Sequence, residues 1–442
     1  MNNQINKKSI FTALAFIVFI NTIVVGQTIN TSTDSLSLKN VIQQVISSYP
    51  TVKIAEEAIK NADARIGLAK TGYNPVVDMT ASFANLAPVT KLTFPGLGTF
   101  QLYPGYNYSA QVNVQQLIYD FGRTRQNVEL ENENKAIGIQ TLEQVKQKLS
   151  LYTISNFYTL LFLQAAIKIK DEQLADLKEH LHYIEKVMAT GSATEYQVLT
   201  TQVKISTVES QMVDLIAAQS TQQAALNSLL GNNKSGNLVV RNELSVIPPV
   251  IPSDSALSYA YHNRDEVLIN QKRASLAEIK YGMTKLQNKP YLSLQASGGA
   301  KNGYLPSLEK LTPNYVIGMG LKVPLFDGMK NKFNLSQAQS AITTLSFESE
   351  YTKRNISNEV YESEALMFAA NKKVSQFELQ LKQALKAYSL AETSFKSGAI
   401  TNLDLLDANT SVSESSLLLL KAKIDYAASV YKLKAAMGER IY

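Results

Sequence analysis

The 442-residue chain contains no cysteine, no tryptophan and only three histidines. The absence of cysteine excludes disulfide scaffolds, thiol nucleophiles, iron–sulfur clusters, cysteine-based zinc sites and a lipid anchor on an N-terminal cysteine. Charged residues make up 18% of the chain, and its net charge of +6 is too small to indicate a nucleic-acid partner. The composition therefore predicts neither an enzyme nor a protein with a bound metal or cofactor. Tyrosine, by contrast, occurs 22 times.

The N-terminus is typical of a secretory signal. Two lysines precede the mostly apolar run 10–20, and Val24 and Gly26 provide the small side chains of a cleavage site. The alternative is a retained membrane anchor, but the run is shorter than the ~20 residues that a transmembrane helix needs. We therefore predict a cleaved signal peptide.

The remainder is predicted to contain two copies of one unit. The turn Gly191–Thr194 recurs as Gly398–Thr401, and Asp120 recurs as Asp327, both pairs at a spacing of 207 residues. Repeats at a fixed spacing are the mark of a duplicated structural unit. The predicted organisation is a signal peptide (1–26), a first repeat (27–231), a linker (232–253), a second repeat (254–438) and a C-terminal tail (439–442).

Each repeat is predicted to start with a helical stretch, over 37–70 and 254–289, followed by two strands. Upstream of the strands the spacing is 215 residues, so that Pro50 corresponds to Asp265. After the strands each repeat has a long proline-free pattern, over 123–189 and 330–396. A 67-residue helix is about 100 Å long. Because no globular core is that wide, these helices must lie in a bundle or coiled coil.

Each long helix is predicted to end in a hairpin turn. Gly191 and Gly398 stand where a C-terminal glycine closes a helix, and Thr194 and Thr401 stand where the N-cap of a returning helix belongs. The two turns occupy equivalent places in the repeats. They therefore predict a pair of equivalent hairpin tips that present a surface.

The strands alternate between apolar and uncharged polar residues, most regularly over 106–115. One apolar and one amide-rich face suit a barrel with lipid outside and water inside; a half-buried soluble hairpin is the alternative. The predicted lipid-facing residues are Tyr106, Tyr108, Ala110, Val112 and Val114 in the first repeat and Tyr315, Ile317, Met319 and Leu321 in the second.

Four strands cannot close a barrel, because open sheet edges are not tolerated in lipid and the smallest barrels have about eight strands. Oligomerisation is therefore required. Two chains would give eight strands and a filled interior, whereas three would give twelve strands and an aqueous pore. The strand count alone favours neither.

The chain resembles the TolC-like outer-membrane efflux proteins. The most specific match is 395–408, with the sequence FKSGAITNLDLLDA, and Ser47–Pro50, Tyr119–Gly122 and Pro324–Gly328 also match. The resemblance implies a mainly α fold with a small β part. Long α-helical hairpins would form a coiled-coil barrel, and four β-strands per chain would contribute to an oligomeric transmembrane β-barrel.

In function, the resemblance implies a homotrimer in the bacterial outer membrane that spans into the periplasm. It would be the passive exit duct of a tripartite efflux or type I secretion system. Its partners would be outer-membrane lipid, a periplasmic adaptor and an inner-membrane efflux pump or secretion ATPase. The predicted adaptor-binding tips are Gly191, Ala193, Thr194, Gly398, Ala399, Ile400 and Thr401.

A gate is predicted near the tips, where the resemblance implies that the helices converge. The heptad seam of the last helix runs back from Tyr431 to Leu403, with polar Thr410 and Ser413 at two positions. Glu392 is the nearest acid before the second tip. We therefore take Glu392, Thr410 and Ser413 as candidate gate residues. The alternative is a soluble periplasmic coiled-coil adaptor or structural protein without a pore, which would not need the alternating strands.

Overall fold

The computed structural model describes residues 35–232, 237–244, 248 and 253–442, without the side chains of 253 and 254. The predicted signal peptide and much of the predicted linker lie outside these residues. The residues from Leu36 onward form one structural unit. No helix within the described ranges combines the length and apolar character needed to cross a membrane.

Helices dominate both halves of the described chain. The first half contains α1 (Leu38–Ser48), α2 (Pro50–Lys70), β1 (Val76–Asn85), β2 (Lys91–Phe94), β3 (Gly98–Gln101), β4 (Tyr106–Tyr119), α3 (Arg123–Ala189) and α4 (Glu195–Leu230). The second half contains α5 (Ser253–Asn263), α6 (Asp265–Leu286), β5 (Tyr291–Lys301), β6 (Thr312–Lys322), α7 (Lys330–Lys396) and α8 (Asn402–Ala436). The two long helices have the predicted bounds, and apart from β2 and β3 the element order is the same in both halves.

The first helical stretch of each half consists of two helices separated by one extended residue. Tyr49 is extended (φ −69°, ψ 133°) because the ring of Pro50 disfavours the helical conformation in the preceding residue. Arg264 has nearly the same conformation (φ −68°, ψ 129°) without a following proline. Here ion pairs hold the break: Arg264 lies 2.9 Å from both Glu266 and Glu359.

The next residue along the chain, Asp265, forms a further ion pair. Asp265 is buried and accepts two hydrogen bonds of 2.7 Å from the guanidinium of Arg440. The Asp265 bond raises the pKa of Arg440. These contacts tie the start of α6 to the segment after α8, so the predicted C-terminal tail packs against the helices, with Ile441 buried.

Four strands form one antiparallel sheet in the order β1-β4-β5-β6. The sheet joins the two halves through the β4–β5 pair and leaves β1 and β6 as its edges. The separate β2–β3 hairpin was not predicted, because its strands are only four residues each and flank Pro95. Its two faces differ: Leu92 pairs with Phe100 on one, and the hydroxyls of Thr93 and Thr99 lie 2.8 Å apart on the other.

The main core lies away from the sheet, where α1, α3, α4 and α8 meet. Phe157 and Tyr158 of α3 and Leu226 of α4 are buried there. On α8, Ile424 and Ala427 of the predicted seam are buried in the same cluster. The long helices continue from this core towards the sheet at one end and towards the hairpin tips at the other.

Removal of the Asp265 carboxylate is expected to destabilise the helical part. Asp265→Ala leaves Arg440 without its buried partner, and breaking a buried pair in this way costs about 3 kcal/mol. Thermal unfolding in detergent, followed by circular dichroism, measures the loss. The control is Asp425→Ala, which breaks the exposed Lys421–Asp425 pair and should cost less than about 1 kcal/mol. Equal effects of the two substitutions would contradict this account.

Candidate functional site

The register of the sheet places the apolar strand residues in rows on one face. Val112 of β4 stands opposite Met79 of β1 and Gly298 of β5, and Gly298 stands opposite Tyr315 of β6. Because side chains alternate along each strand, every second residue joins this face. It carries all nine predicted lipid-facing residues: Tyr106, Tyr108, Ala110, Val112, Val114, Tyr315, Ile317, Met319 and Leu321.

This apolar face is open in the single chain, since Tyr315 is 80% exposed and Ile317 70% exposed. The opposite face carries polar side chains that bond to one another. Ser82 and Ser109 lie 2.8 Å apart, and Asn113 donates to Asp78 at 2.9 Å. The sheet is therefore two-sided, with one face suited to an apolar medium and the other to water. Contact of the apolar face with lipid stays a prediction.

The predicted hairpin turns are confirmed. Gly191 and Gly398 have φ values of 79° and 75°, the left-handed conformation that glycine adopts most easily. Thr194 caps α4, and Thr401 caps α8. Each forms a capping box: the threonine hydroxyl accepts from the backbone N–H three residues on, where Gln197 or Asp404 bonds back to the threonine N–H. At the second tip the Thr401 hydroxyl also donates to the Asp404 carboxylate at 2.6 Å, and this bond, together with the one from the Thr401 N–H, lowers the pKa of Asp404.

The predicted tip residues form an accessible end of the helical layer. Five of them are exposed, and Ala193 and Ile400 are half-buried. Sequence reasoning missed Tyr196 and Leu403, which are 71% and 56% exposed just beyond the turns. They are 207 residues apart, so the repeat spacing was the signal for this equivalent pair. The assignment of Leu403 to the buried seam is wrong, because Asn402 and the two leucines that follow Asp404 face the neighbouring helices instead.

Asn402 joins the two hairpins at the tips and was not identified from sequence. Its side chain is buried and donates to the carbonyl of Gln197 at 3.2 Å and to the hydroxyl of Thr201 at 3.2 Å. Its carbonyl oxygen lies 2.7 Å from Nε2 of His180 on α3. Since the amide oxygen can only accept, Nε2 carries the proton. One side chain of α8 thus holds both α3 and α4.

A second polar contact crosses the seam further from the tips. Gln173 of α3 donates to Asn409 of α8 at 3.3 Å and accepts from the ammonium group of Lys170 at 2.9 Å. All three side chains are buried, and burial lowers the pKa of Lys170. The part of the seam nearest the tips is therefore polar, as the sequence suggested. The residues that cross it are Asn402 and Asn409.

The predicted seam residues have local roles. The hydroxyl of Thr410 bonds back to the carbonyl of Leu406 on its own helix at 2.8 Å. Ser413 is buried, and its hydroxyl has no hydrogen-bond partner in the part of the chain that the structure describes. Neither links two helices by a hydrogen bond. A gating role for Thr410 and Ser413 stays a prediction.

Glu392 lines a cavity of about 270 Å³ between α3 and α7, beside the tips. Asp176, Glu179, His180 and Tyr388 line the same cavity. Burial raises the pKa of Asp176, with further contributions from Glu179 and Glu392. Burial lowers the pKa of His180 and raises that of Tyr388. Each shift favours the neutral form of its own group. The lining also includes Lys396, so three acids and one ammonium group lie close together here.

Within the described ranges, no group of three or more histidine, cysteine or acidic residues is arranged to hold a metal ion. The three acids of this cavity are therefore no candidate metal centre. His180 is engaged with Asn402 and packs its ring against Phe395, with centroids 5.3 Å apart.

Three comparisons place this architecture among known proteins. Alkaline protease secretion protein AprF of Pseudomonas aeruginosa is 21% identical over 75% of this chain and 70% of its own length. Cation efflux system protein CusC of Escherichia coli K12 is 23% identical over 75% of this chain and 73% of its own. The crystal structure of outer membrane protein VceC of Vibrio cholerae superposes with a TM-score of 0.77 and 18% identity, covering 92% of this chain and 97% of that one.

A two-sided strand sheet joined to long helical hairpins defines an outer-membrane channel. The family profile described as Outer membrane efflux protein matches residues 41–232 and 256–439. The chain belongs to this family. The predicted fold class, the location in the outer membrane and the role as a channel of an efflux or secretion system are thereby confirmed. The pore-free periplasmic adaptor, the alternative left open by the sequence, is set aside.

Loss of the Asn402 amide is expected to loosen both tips. Asn402→Ala leaves the Nε2–H of His180 without its partner and removes the bonds from α8 to Gln197 and Thr201, which costs about 1–3 kcal/mol. Hydrogen exchange should quicken in the first turns of α4 and α8 but not in the main core. Thr410→Ala is the matched control, because that hydroxyl bonds only within α8. The same exchange pattern in both variants would contradict the role of Asn402.

Proposed function

We propose that three copies of the chain close into one conduit across the outer membrane and the periplasm. The observation that carries this proposal is the two-sided sheet with unpaired edges at β1 and β6. An unpaired edge in lipid leaves backbone N–H and C=O groups unsatisfied, so β6 of one copy must pair with β1 of the next. Three copies give twelve strands, enough for a water-filled interior, whereas two give the eight of a filled barrel.

The helical layer supports the same closure. Within one chain, α2 and α4 pack on α3 at one side, and α7 packs on α6 and α8 at the other. Large apolar side chains remain exposed at both sides, among them Val203 and Val213 of α4 and Phe347 and Leu379 of α7. In a closed ring, α7 of one copy covers α2 and α4 of its neighbour. Helices and strands would thus close around the same axis.

The hairpin tips are proposed as the docking site of a periplasmic adaptor coupled to an inner-membrane pump or secretion ATPase. The two tips of each chain present equivalent turns, and an exposed large apolar residue stands at the same place after each turn, Tyr196 or Leu403. Such paired positions suit a partner that contacts helical hairpins end-on. AprF and CusC are named for protease secretion and cation efflux, so we assign the choice of cargo to the pump.

Opening is proposed to occur where the seam is polar. The contacts of Asn402 and Asn409 can be exchanged for contacts with water, so separating the helices there exposes less apolar surface than elsewhere. An adaptor that binds the separated arrangement more tightly would shift the population towards it. In this scheme the chain does no chemistry, and the pump supplies the energy.

A pair of substitutions on β6 tests the conduit. Ile317→Lys places a charge on the apolar face at mid-strand, which costs about 2–4 kcal/mol at the bilayer midplane. Its neighbour Val316 lies on the polar face, so Val316→Lys should be tolerated. We expect Val316→Lys to give heat-modifiable trimers on gels and stepwise conductance in planar bilayers, and Ile317→Lys to give neither. A monomeric wild-type chain without conductance would refute the proposal.

Gly398 tests the docking site separately. A Cβ at this position meets nothing within 4 Å, so Gly398→Arg adds bulk and charge without a clash inside the chain. We expect it to abolish export in cells while the trimer still assembles. Gly398→Asn is the control for backbone strain, since asparagine tolerates positive φ, and it should keep most of the export. Normal export by Gly398→Arg would overturn the assignment of the tips.

A further inference from the structure

Two cations share one aromatic ring at the end of the sheet nearest the helices. The guanidinium carbon of Arg123 lies 5.6 Å from the ring centroid of Tyr291, and the ammonium nitrogen of Lys322 lies 5.9 Å from it. Both distances fall within the range of cation–π attraction. Arg123 is the first residue of α3, and Tyr291 and Lys322 are partners in the β5–β6 register. We call these three residues the cationic station.

The register assigns the cationic station to the polar face. Leu292 pairs with Leu321 on the apolar face, so the preceding pair, Tyr291 and Lys322, belongs to the other side of the sheet. The side chains of Ser293 and Gln295 share this side with them. The cations therefore lie on the face that would line the pore.

Neither cation forms a salt bridge within the residues that the structure describes, and Arg123 has an electrostatic interaction with Asp120 beyond salt-bridge distance. Nε of Arg123 donates to the carbonyl of Leu286 at 2.8 Å, and Nη2 donates to that of Lys289. These bonds fix the guanidinium without removing its charge. Arg123 and Lys322 take part in none of the ion pairs among the described residues.

The nearby carboxylates accept their hydrogen bonds from groups other than the two cations. Asp120 accepts from the backbone of Gly122 and from Thr124. Asp327 accepts from the side chain of Asn288 and the backbone of Asn331. Both carboxylates thus serve as local caps at the starts of α3 and α7.

The rest of the polar face does not balance the station. Among the four paired strands, the register places only three charged side chains on this face: Asp78, Lys301 and Lys322. Asp78 lies nearer the middle of the sheet and is bonded to Asn113. Lys301 lies at the opposite end, 5.4 Å from the ring centroid of Tyr304. Arg123 adds a third cation, and Asp120 and Asp327 add carboxylates where the strands meet the helices, so the positive charge of the station is confined to the surroundings of the Tyr291 ring.

We propose that Arg123, Tyr291 and Lys322 form a binding station for organic anions on the wall of the conduit. The cations attract a carboxylate, sulfonate or phosphate group, and the Tyr291 ring holds the two cations side by side. This inference rests on the proposed function, because the polar face must line the pore. Three copies would place six positive charges around the pore where the strands meet the helices.

The station is opposite in sign to the cavity beside the tips, which gathers Asp176, Glu179 and Glu392. Charged groups at both ends therefore contribute to the ion selectivity of the conduit. A measurement of that selectivity alone does not identify the station. Block of the current by an aromatic anion is more specific, because it depends on where the anion binds. The probe we choose is 1-naphthalenesulfonate.

The test uses the full chain in planar bilayers of neutral phosphatidylcholine. We expect naphthalenesulfonate to block the potassium current and Lys322→Gln to weaken that block about twofold or more, as the loss of one unit charge at roughly 8 Å in water predicts. Tyr291→Ala should weaken it as well. Lys301→Gln is the matched control, since it removes a cation from the same face at the opposite end, and it should leave the block unchanged.

The outcomes separate this inference from the conduit itself. If the wild-type chain does not conduct, the proposed function fails and the station fails with it. If it conducts normally but Lys322→Gln and Lys301→Gln affect the block equally, or not at all, only the station is overturned. An effect of Lys322→Gln that needs anionic phosphatidylglycerol in the bilayer would assign the cations to lipid headgroups and also overturn it.

Discussion

The hydrogen-bonding requirement of the sheet edges governs the architecture. Among the residues that the structure describes, no strand pairs with the outer sides of β1 and β6, and lipid cannot supply a partner for their backbone groups. The same chain leaves apolar side chains uncovered on α4 and α7. Both deficits are removed by identical neighbours placed around an axis. In the proposed conduit the fold is complete only as a ring, and the polar sheet face would become an inner wall for the same reason that the apolar face would become an outer one.

Packing along the helices is uneven, and the unevenness has a function in the proposed conduit. Around Phe157 and Leu226 the helices are fixed by a dense apolar core. Near the tips, Asn402 and Asn409 replace apolar side chains at the contact between hairpins. Such amide contacts hold the helices in register, yet water can take over each hydrogen bond at a small net cost. The chain thus combines a rigid middle with ends that can part.

Much of this fold was predictable because its signals are local or repeated. The long helices, the glycine turns and the threonine caps depend on residues close in sequence, and the spacing of 207 residues supports each assignment twice. The break at Arg264 was not predictable, since it depends on Glu359, which is 95 residues further along the chain. Asn402 was missed because its partners lie on two other helices. The cationic station likewise joins a helix start to two strands, and proximity of that kind follows only from the register.

The capping boxes at the tips consist of bonds between residues three positions apart. They persist whether the hairpins lie together or apart, so each tip keeps one shape throughout. A ligand with equal affinity for two states shifts neither. A partner that contacts a single tip would therefore bind without shifting the equilibrium between the closed and the open conduit. Only a partner broad enough to contact several tips at once can bind differently as the distance between them changes. Such a partner could therefore open the conduit.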